Sequence, residues 1–273
     1  IEYLKQKKEN FEEDSIIQEY FLMFLQKVST PPYLECRRKS QECNDSGYLE
    51  IRKTGPHYFL PPEIFCIKNL NYFYIKPPLY ALSSQIGGLE TLEKLIIKCL
   101  LSELPPEIGK LKNLKMLEVK GKFKKIPSEI GQLTNLKLLL LTGENVETIP
   151  PQIGCLKNLE GLFLVNLRSL RFLPPELGQL DNLQVLAVIN SEQITEFPKE
   201  IENLKKLKDL FIYGTPITVI PPQLIERDTR VYGSNHFVVN VRQEDDREEH
   251  EEGYSGEHEG YREEYEGYRG EHE

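Results

Sequence analysis

No run of apolar residues in the sequence approaches the ~18 that a membrane-spanning helix needs. The nearest, YFLMFL at residues 20–25, stands among Glu, Gln and Lys. No membrane insertion is therefore expected. Cationic excess is missing as well. The formal charge of −9 comes almost wholly from one end, because residues 242–273 carry 14 acidic and 4 basic side chains. That leaves 29 acidic against 30 basic over residues 1–241. A body so nearly neutral lacks the surplus that neutralises phosphates, which argues against a nucleic-acid partner.

Catalytic signatures are absent too. The sequence contains no G-x-S-x-G, no Walker-type glycine loop, no C-x-x-C and no H-E-x-x-H, the patterns that mark common nucleophile, phosphate and metal chemistry. His57 and His236 stand alone outside the regular pattern. The expectation is a non-catalytic protein with no cofactor and no metal site. Cysteine is sparse and odd in number, with Cys36, Cys43, Cys66, Cys99 and Cys155. Unpaired thiols of this kind point to a reducing compartment and hence a cytoplasmic location. The opposing reading pairs Cys36 with Cys43 as a cap bridge of a secreted protein, in which Asn44 would be a glycosylation sequon. The chain opens on Ile1 rather than Met, which leaves a removed targeting peptide open.

What is abundant is repetition. The segment ELPPEIGKLKNLKMLEV at 103–119 returns as KIPSEIGQLTNLKLLLL, TIPPQIGCLKNLEGLFL and FLPPELGQLDNLQVLAV. Aligned on the apolar residue after the proline, the copies fall at Ile64, Ile86, Ile108, Ile130, Ile153, Leu177, Ile201 and Leu224, with steps of 22, 22, 22, 23, 24, 24 and 23 residues. Each copy carries L-x-x-L-x-L, as in Leu114/Leu117/Val119 and Leu136/Leu139/Leu141, with a weaker version at Leu70/Phe73/Ile75. Two inward residues two apart are strand alternation. A second apolar pair then ends in proline, as in Leu101 and Leu104 before Pro105. Proline has no N–H to extend a ladder, and its fixed φ suits the first turn of a helix. Glu107 and Glu176 follow where a helix N-terminus favours an acid. Gly109, Gly131 and Gly154 keep the period, so they are read as turn residues rather than a phosphate cradle.

A period of 22 to 24 with this core pattern is the mark of leucine-rich repeats. The fold expected is an α/β solenoid, a leucine-rich repeat horseshoe with a parallel concave sheet and short helical or 3-10 convex segments. Seven or eight strands are predicted, centred near Leu49, Tyr74, Ile96, Glu118, Leu140, Phe163, Ala187 and Phe211. The pattern resembles the intracellular Ras-group type of leucine-rich repeat protein over about residues 46–225. It is also similar to the repeat region of plant nucleotide-binding immune receptors. With no catalytic signature in the chain, the function expected is that of an intracellular scaffold or recognition module that binds another protein. One departure stands out: the family's buried asparagine slot holds Leu100, Lys122, Glu144, Leu167, Ser191 and Thr215, with Asn145, Asn166 and Asn190 displaced by one. Looser turns are expected there, since an unmade buried hydrogen bond costs roughly 1–3 kcal/mol.

Four segments follow: a capping helix and linker at 1–45, repeats at 46–225 (seven regular and a degenerate opening one), a C-terminal cap at 226–241 and an acidic tail at 242–273. In the first, Ser15 with Gln18 makes a capping box, and Ile17, Phe21, Phe24, Leu25 and Val28 share one helical face. In the cap, the apolar run from Phe237 to Val241 reads as a strand. The tail repeats every seven residues as EGYSGEH, EGYREEY and EGYRGEH. Glycine in every heptad and no apolar seam exclude a coiled coil, and the composition is that of a disordered segment. Its His250, His258 and His272 are read as solvated low complexity rather than metal ligands.

Alternation along the strands also nominates a site. The outward positions are Tyr72, Tyr74, Ile96, Met116, Glu118, Leu138, Leu140, Phe163, Val165, Val185, Ala187, Ile189, Phe211 and Tyr213, with Lys76, Lys94, Lys98, Lys120 and Asp209 as charges. A solvated sheet face alternates to polar, yet LKLLLL and LQVLAVI do not. The partner expected is another protein, docked on this concave face with Phe163, Phe211 and Tyr213 as aromatic anchors. Self-association through the same face is a second possibility. The alternative function is a recognition fragment of a larger immune receptor or effector, whose nucleotide-binding or catalytic domain lies outside this chain.

Overall fold

A computed structural model describes residues 47–52, 60, 62–76, 78–233 and 238–239. The expected capping helix, Cys36, Cys43, His57, His236 and the acidic tail lie outside the described residues.

Nine parallel strands form one sheet: β1 (Tyr48–Ile51), β2 (Tyr72–Ile75), β3 (Lys94–Lys98), β4 (Met116–Lys120), β5 (Leu138–Thr142), β6 (Gly161–Val165), β7 (Val185–Ile189), β8 (Asp209–Phe211) and β10 (Arg230–Tyr232). Each strand pairs with the next in chain order. Between β8 and β10 the chain makes β9 (Val219–Ile220) and the short helix α1 (Pro222–Glu226); β9 pairs in parallel with β11 (Val238–Val239) in a separate two-stranded sheet. Eight strands stand where the sequence places them. The ninth, β10, corrects the predicted count of seven or eight: RVY has no leucine triplet, but it takes register against Asp209–Phe211 through backbone pairing. A strand at the end of a stack needs a ladder partner on one side only, so the motif can decay there.

Each strand from β1 to β7 is answered on the far side by a 3-10 segment, such as Pro106–Lys110, Ser128–Gln132 and Pro151–Cys155. Pro105, Pro127 and Pro150 occupy the preceding position with φ near −66° (−66°, −64° and −68°), which aims the chain into the turn. The Ile108 N–H then closes on the Pro105 carbonyl at 3.1 Å, and Leu111 on Ile108 at 3.1 Å. Between strand and 3-10 segment lies the core. Leu114, Leu117, Val119, Ile108 and Leu111 are all 0 % exposed, and the same columns recur in the neighbouring repeats.

The repeating glycines have a different cause from the turn role expected of them. Among the described glycines, left-handed backbone occurs only at Gly47 and Gly214. Gly109 is needed for close approach: a Cβ there would meet the Glu129 carbonyl oxygen of the next 3-10 segment at 2.5 Å. Gly154 stands in the same relation to Glu176, at 2.6 Å. The 3-10 segments have no backbone ladder to set their spacing, so they close until backbone meets backbone.

Asparagine is not lost from the stack but moved. Asn113 donates to the Glu90 carbonyl at 2.8 Å, Asn135 to Lys112 at 2.9 Å, Asn158 to Thr134 at 2.9 Å and Asn182 to Lys157 at 2.7 Å. Thr91 fills the same column and donates to Lys68 at 2.9 Å and Leu70 at 3.0 Å. These side chains precede the first strand leucine, in the recurring NL dipeptide, and each bridges to the previous repeat. In the vacated slot, buried Ser191 donates to the Ile189 carbonyl and buried Thr215 to that of Ile212, both at 3.3 Å.

Cys66 and Cys155 are exposed thiols, and Cys99 is a buried one whose Sγ donates to the Ile75 carbonyl at 3.5 Å. Burial pushes the Cys99 thiol up to about 11, so it stays protonated at pH 8 while folded. Brief alkylation with iodoacetamide at pH 8, read by peptide mass spectrometry, is expected to label Cys66 and Cys155 and to reach Cys99 only after denaturation. Equal labelling of Cys99 in the native chain contradicts the packing. Gly109→Ala is expected to destabilise by about 1–3 kcal/mol, the usual cost of overpacking. A urea midpoint at or above that of the native chain refutes the close-approach explanation.

Candidate functional site

The strand register assembles the outward side chains into three rows. One runs Tyr72, Lys94, Met116, Leu138, Gly161, Val185 and Asp209; the next runs Tyr74, Ile96, Glu118, Leu140, Phe163, Ala187 and Phe211. The third continues from Lys98 through Lys120, Thr142 and Val165 to Ile189. The nominated residues within the strands therefore share one face of one sheet, while Tyr213 lies two residues past the end of β8.

Their exposure is less uniform than their placement. Leu138, Leu140, Phe163, Val165, Val185, Ile189 and Phe211 are half-buried, and Tyr213 is 41 % exposed. Ala187 is the correction: its methyl is 1 % exposed, between Phe163 and Phe211 in register, so it offers no contact surface. Alternation tells which side a residue points to; side-chain size decides how deep it lies. Gly161 makes the complementary case. A Cβ there would meet Leu138 Cδ1 at 2.8 Å and the Phe163 ring at 3.1 Å, so these two side chains close over the glycine.

Both ends of the face are stiffened by residues the sequence reading missed. Tyr48 of β1 stacks on Tyr72 with ring centroids 4.4 Å apart, and Tyr232 of β10 stacks on Phe211 at 4.7 Å. Burial, with Tyr48 alongside, raises the Tyr72 phenol above its usual range. The Arg52 guanidinium lies 6.0 Å over the Tyr74 ring and bonds Glu50 at 2.9 Å. Lys94 lies 5.9 Å from the Tyr72 ring centre. At the other end Arg230 bonds Asp209 at 2.7 Å. For β10, a strand of three residues with no leucine triplet left the sequence nothing to flag it.

Beyond the strand ends, Asn166 and Asn190 adopt left-handed backbone (φ 56° and 52°), and Asn190 Nδ2 donates to Asn166 Oδ1 at 3.0 Å. Asn tolerates that conformation better than most residues. The Asn166 turn borders a cleft of about 300 Å³ lined in part by Leu100, Lys120, Lys122, Glu144 and Asn166. Among the described residues no cluster of three metal-ligating side chains occurs, and no helix is long and apolar enough to cross a membrane.

A parallel sheet backed by 3-10 segments, repeated with each period, defines a repeat solenoid. A family model described as a leucine-rich repeat region matches residues 96–193, and the fold of the described residues is that of a leucine-rich repeat solenoid. No curated protein sequence matches it. Among solved structures it is similar to a leucine-rich repeat protein of Leptospira interrogans (27 % identity, TM-score 0.47, covering 70 % of this chain and 60 % of that one). It is also similar to the ectodomain of the Arabidopsis receptor kinase HAESA, determined with an IDA peptide hormone ligand (25 %, TM-score 0.56, 65 % and 32 %). A third is the ectodomain of the Arabidopsis thaliana receptor kinase GASSHO1/SCHENGEN3 (24 %, TM-score 0.53, 65 % and 22 %). The chain thus spans less than two thirds of the length of each.

Substitution of adjacent residues tests the register of the face. Leu139→Asp puts an unpaired charge into the core and is expected to abolish cooperative unfolding, whereas Leu140→Asp, one position away and half-buried, retains it. Similar melting curves for the two variants contradict the assignment of inward and outward rows.

Proposed function

We propose that this chain is a non-catalytic interaction module that binds a partner protein through the open face of its sheet. One observation carries the reading: Leu138, Leu140, Phe163, Val165, Val185, Ile189 and Phe211 lie side by side on four consecutive strands, each keeping part of its surface open. Solvated sheet faces alternate to polar, and a contiguous apolar surface marks an interaction site. Flat aromatic side chains held in register supply contact area at little entropic cost, which is the character of hot-spot residues. The similarity to the HAESA ectodomain, a receptor that binds a peptide hormone, supports the same class of role.

The proposed setting is intracellular recognition or signalling in the cytoplasm. Two exposed thiols, Cys66 and Cys155, are consistent with a reducing compartment.

The test is a variant carrying Leu140→Lys, Phe163→Lys and Phe211→Lys, first shown by its melting curve to remain folded. Quantitative pull-downs from a lysate of the native source are expected to lose the partners that the unaltered chain retains. An unchanged partner set refutes the assignment of this face.

A further inference from the structure

The open face changes character along the strand order. Lys76 follows β2 on the edge where Lys98 ends β3 and Lys120 ends β4. The same position on the next three strands is Thr142, Val165 and Ile189. Like charges on adjacent strands repel, so three consecutive lysines cost stability unless something answers them. Within the sheet only Glu118 does, 2.9 Å from Lys98. Among the described residues Lys76 and Lys120 have no carboxylate within ion-pair distance. The opposite edge of the sheet is treated differently. There Lys115 bonds Glu93 at 2.7 Å and Lys137 bonds Glu160 at 2.8 Å, each pair bridging neighbouring repeats. The geometry for neutralisation is thus available in this stack, and on the lysine edge it is used at Lys98 while Lys76 and Lys120 are left without it.

We propose that the partner presents an extended segment that runs across the strands, acidic at one end and apolar at the other. This rests on the docking role proposed above and adds the chemistry of the partner. Carboxylates of the segment meet Lys76, Lys98 and Lys120; its bulky apolar side chains cover Leu140, Phe163 and Ile189. From β2 to β7 there are five strand intervals, or about 24 Å at ~4.8 Å each. An extended chain covers that distance in about seven residues. A polyphosphate is a poorer fit, because the face beyond β4 has no cation before Arg230, which Asp209 already holds. An acidic peptide satisfies both halves.

A random dodecapeptide display library selected on the native chain, followed by fluorescence anisotropy of the recovered peptides, decides the matter. The expected winners place two or more Asp or Glu beside Leu, Phe or Tyr. Their affinity is expected to fall about tenfold between 50 and 500 mM NaCl, as screening of exposed charge dictates. A Lys76→Glu, Lys98→Glu, Lys120→Glu variant should lose these peptides and gain affinity for versions whose acids are replaced by lysine. Recovered peptides that are lost on a Leu140→Lys, Phe163→Lys variant, yet are indifferent to salt and to the lysine reversal, overturn the acidic assignment alone. Peptides unaffected by Leu140→Lys, Phe163→Lys, or no recovered peptide at all, overturn the docking role itself. The melting curve of each variant is compared with that of the native chain. If the lysine reversal unfolds the protein, the salt titration on the native chain decides by itself.

Discussion

A single repeat of this chain cannot hide its own leucines; it does so only between two neighbours. That constraint governs both sides of the stack. On the sheet side, backbone hydrogen bonds hold successive strands at ~4.8 Å, and any side chain that keeps inward alternation is accepted. On the 3-10 side no ladder exists, so the approach is limited by what stands between the segments. A glycine column removes that limit, and its boundaries mark the ends of the regular stack. The slot holds Phe65 in the first 3-10 segment and Glu202 in the last regular one, where Arg227 reaches across to the Glu202 carbonyl at 2.5 Å. At the end of the series the slot is Ile225, 41 % exposed.

Much of this was legible in the residues themselves. Period, proline and the leucine triplet dictate strand, turn and 3-10 return, because each is a local constraint that only one backbone path satisfies. Three things were not legible, each for a physical reason. The strand Arg230–Tyr232 borrows its pairing from Asp209–Phe211, and pairing leaves no trace in composition. The glycines looked like turns because sequence does not distinguish left-handed backbone from close approach; both ask for a missing Cβ. The asparagine ladder was sought after the strand, where the family pattern puts it, while Asn113, Asn135, Asn158 and Asn182 stand before it.

The candidate site shows the same division. Alternation alone put fourteen outward residues on one face, and the register brings together all of them but Tyr213, which lies past the end of β8. It gave no depth, so Ala187 was counted with Phe163 although it is buried. Nor did it reveal that the face is bounded by stacked pairs, Tyr48 on Tyr72 and Phe211 on Tyr232, since such pairs join residues more than 20 positions apart. These stacks bear on the proposed docking role. They fix the ends of a surface whose middle is aliphatic, and a rigid surface loses less entropy on binding.

Hydrogen exchange, read by mass spectrometry on the chain with and without a captured partner, tests the central claim most directly. The account predicts slower exchange on binding in peptides containing Leu138–Thr142, Gly161–Val165 and Val185–Ile189, with the 3-10 segments Ser128–Gln132 and Pro151–Cys155 unchanged. Protection confined to those 3-10 segments would place the partner on the other side of the solenoid and contradict it.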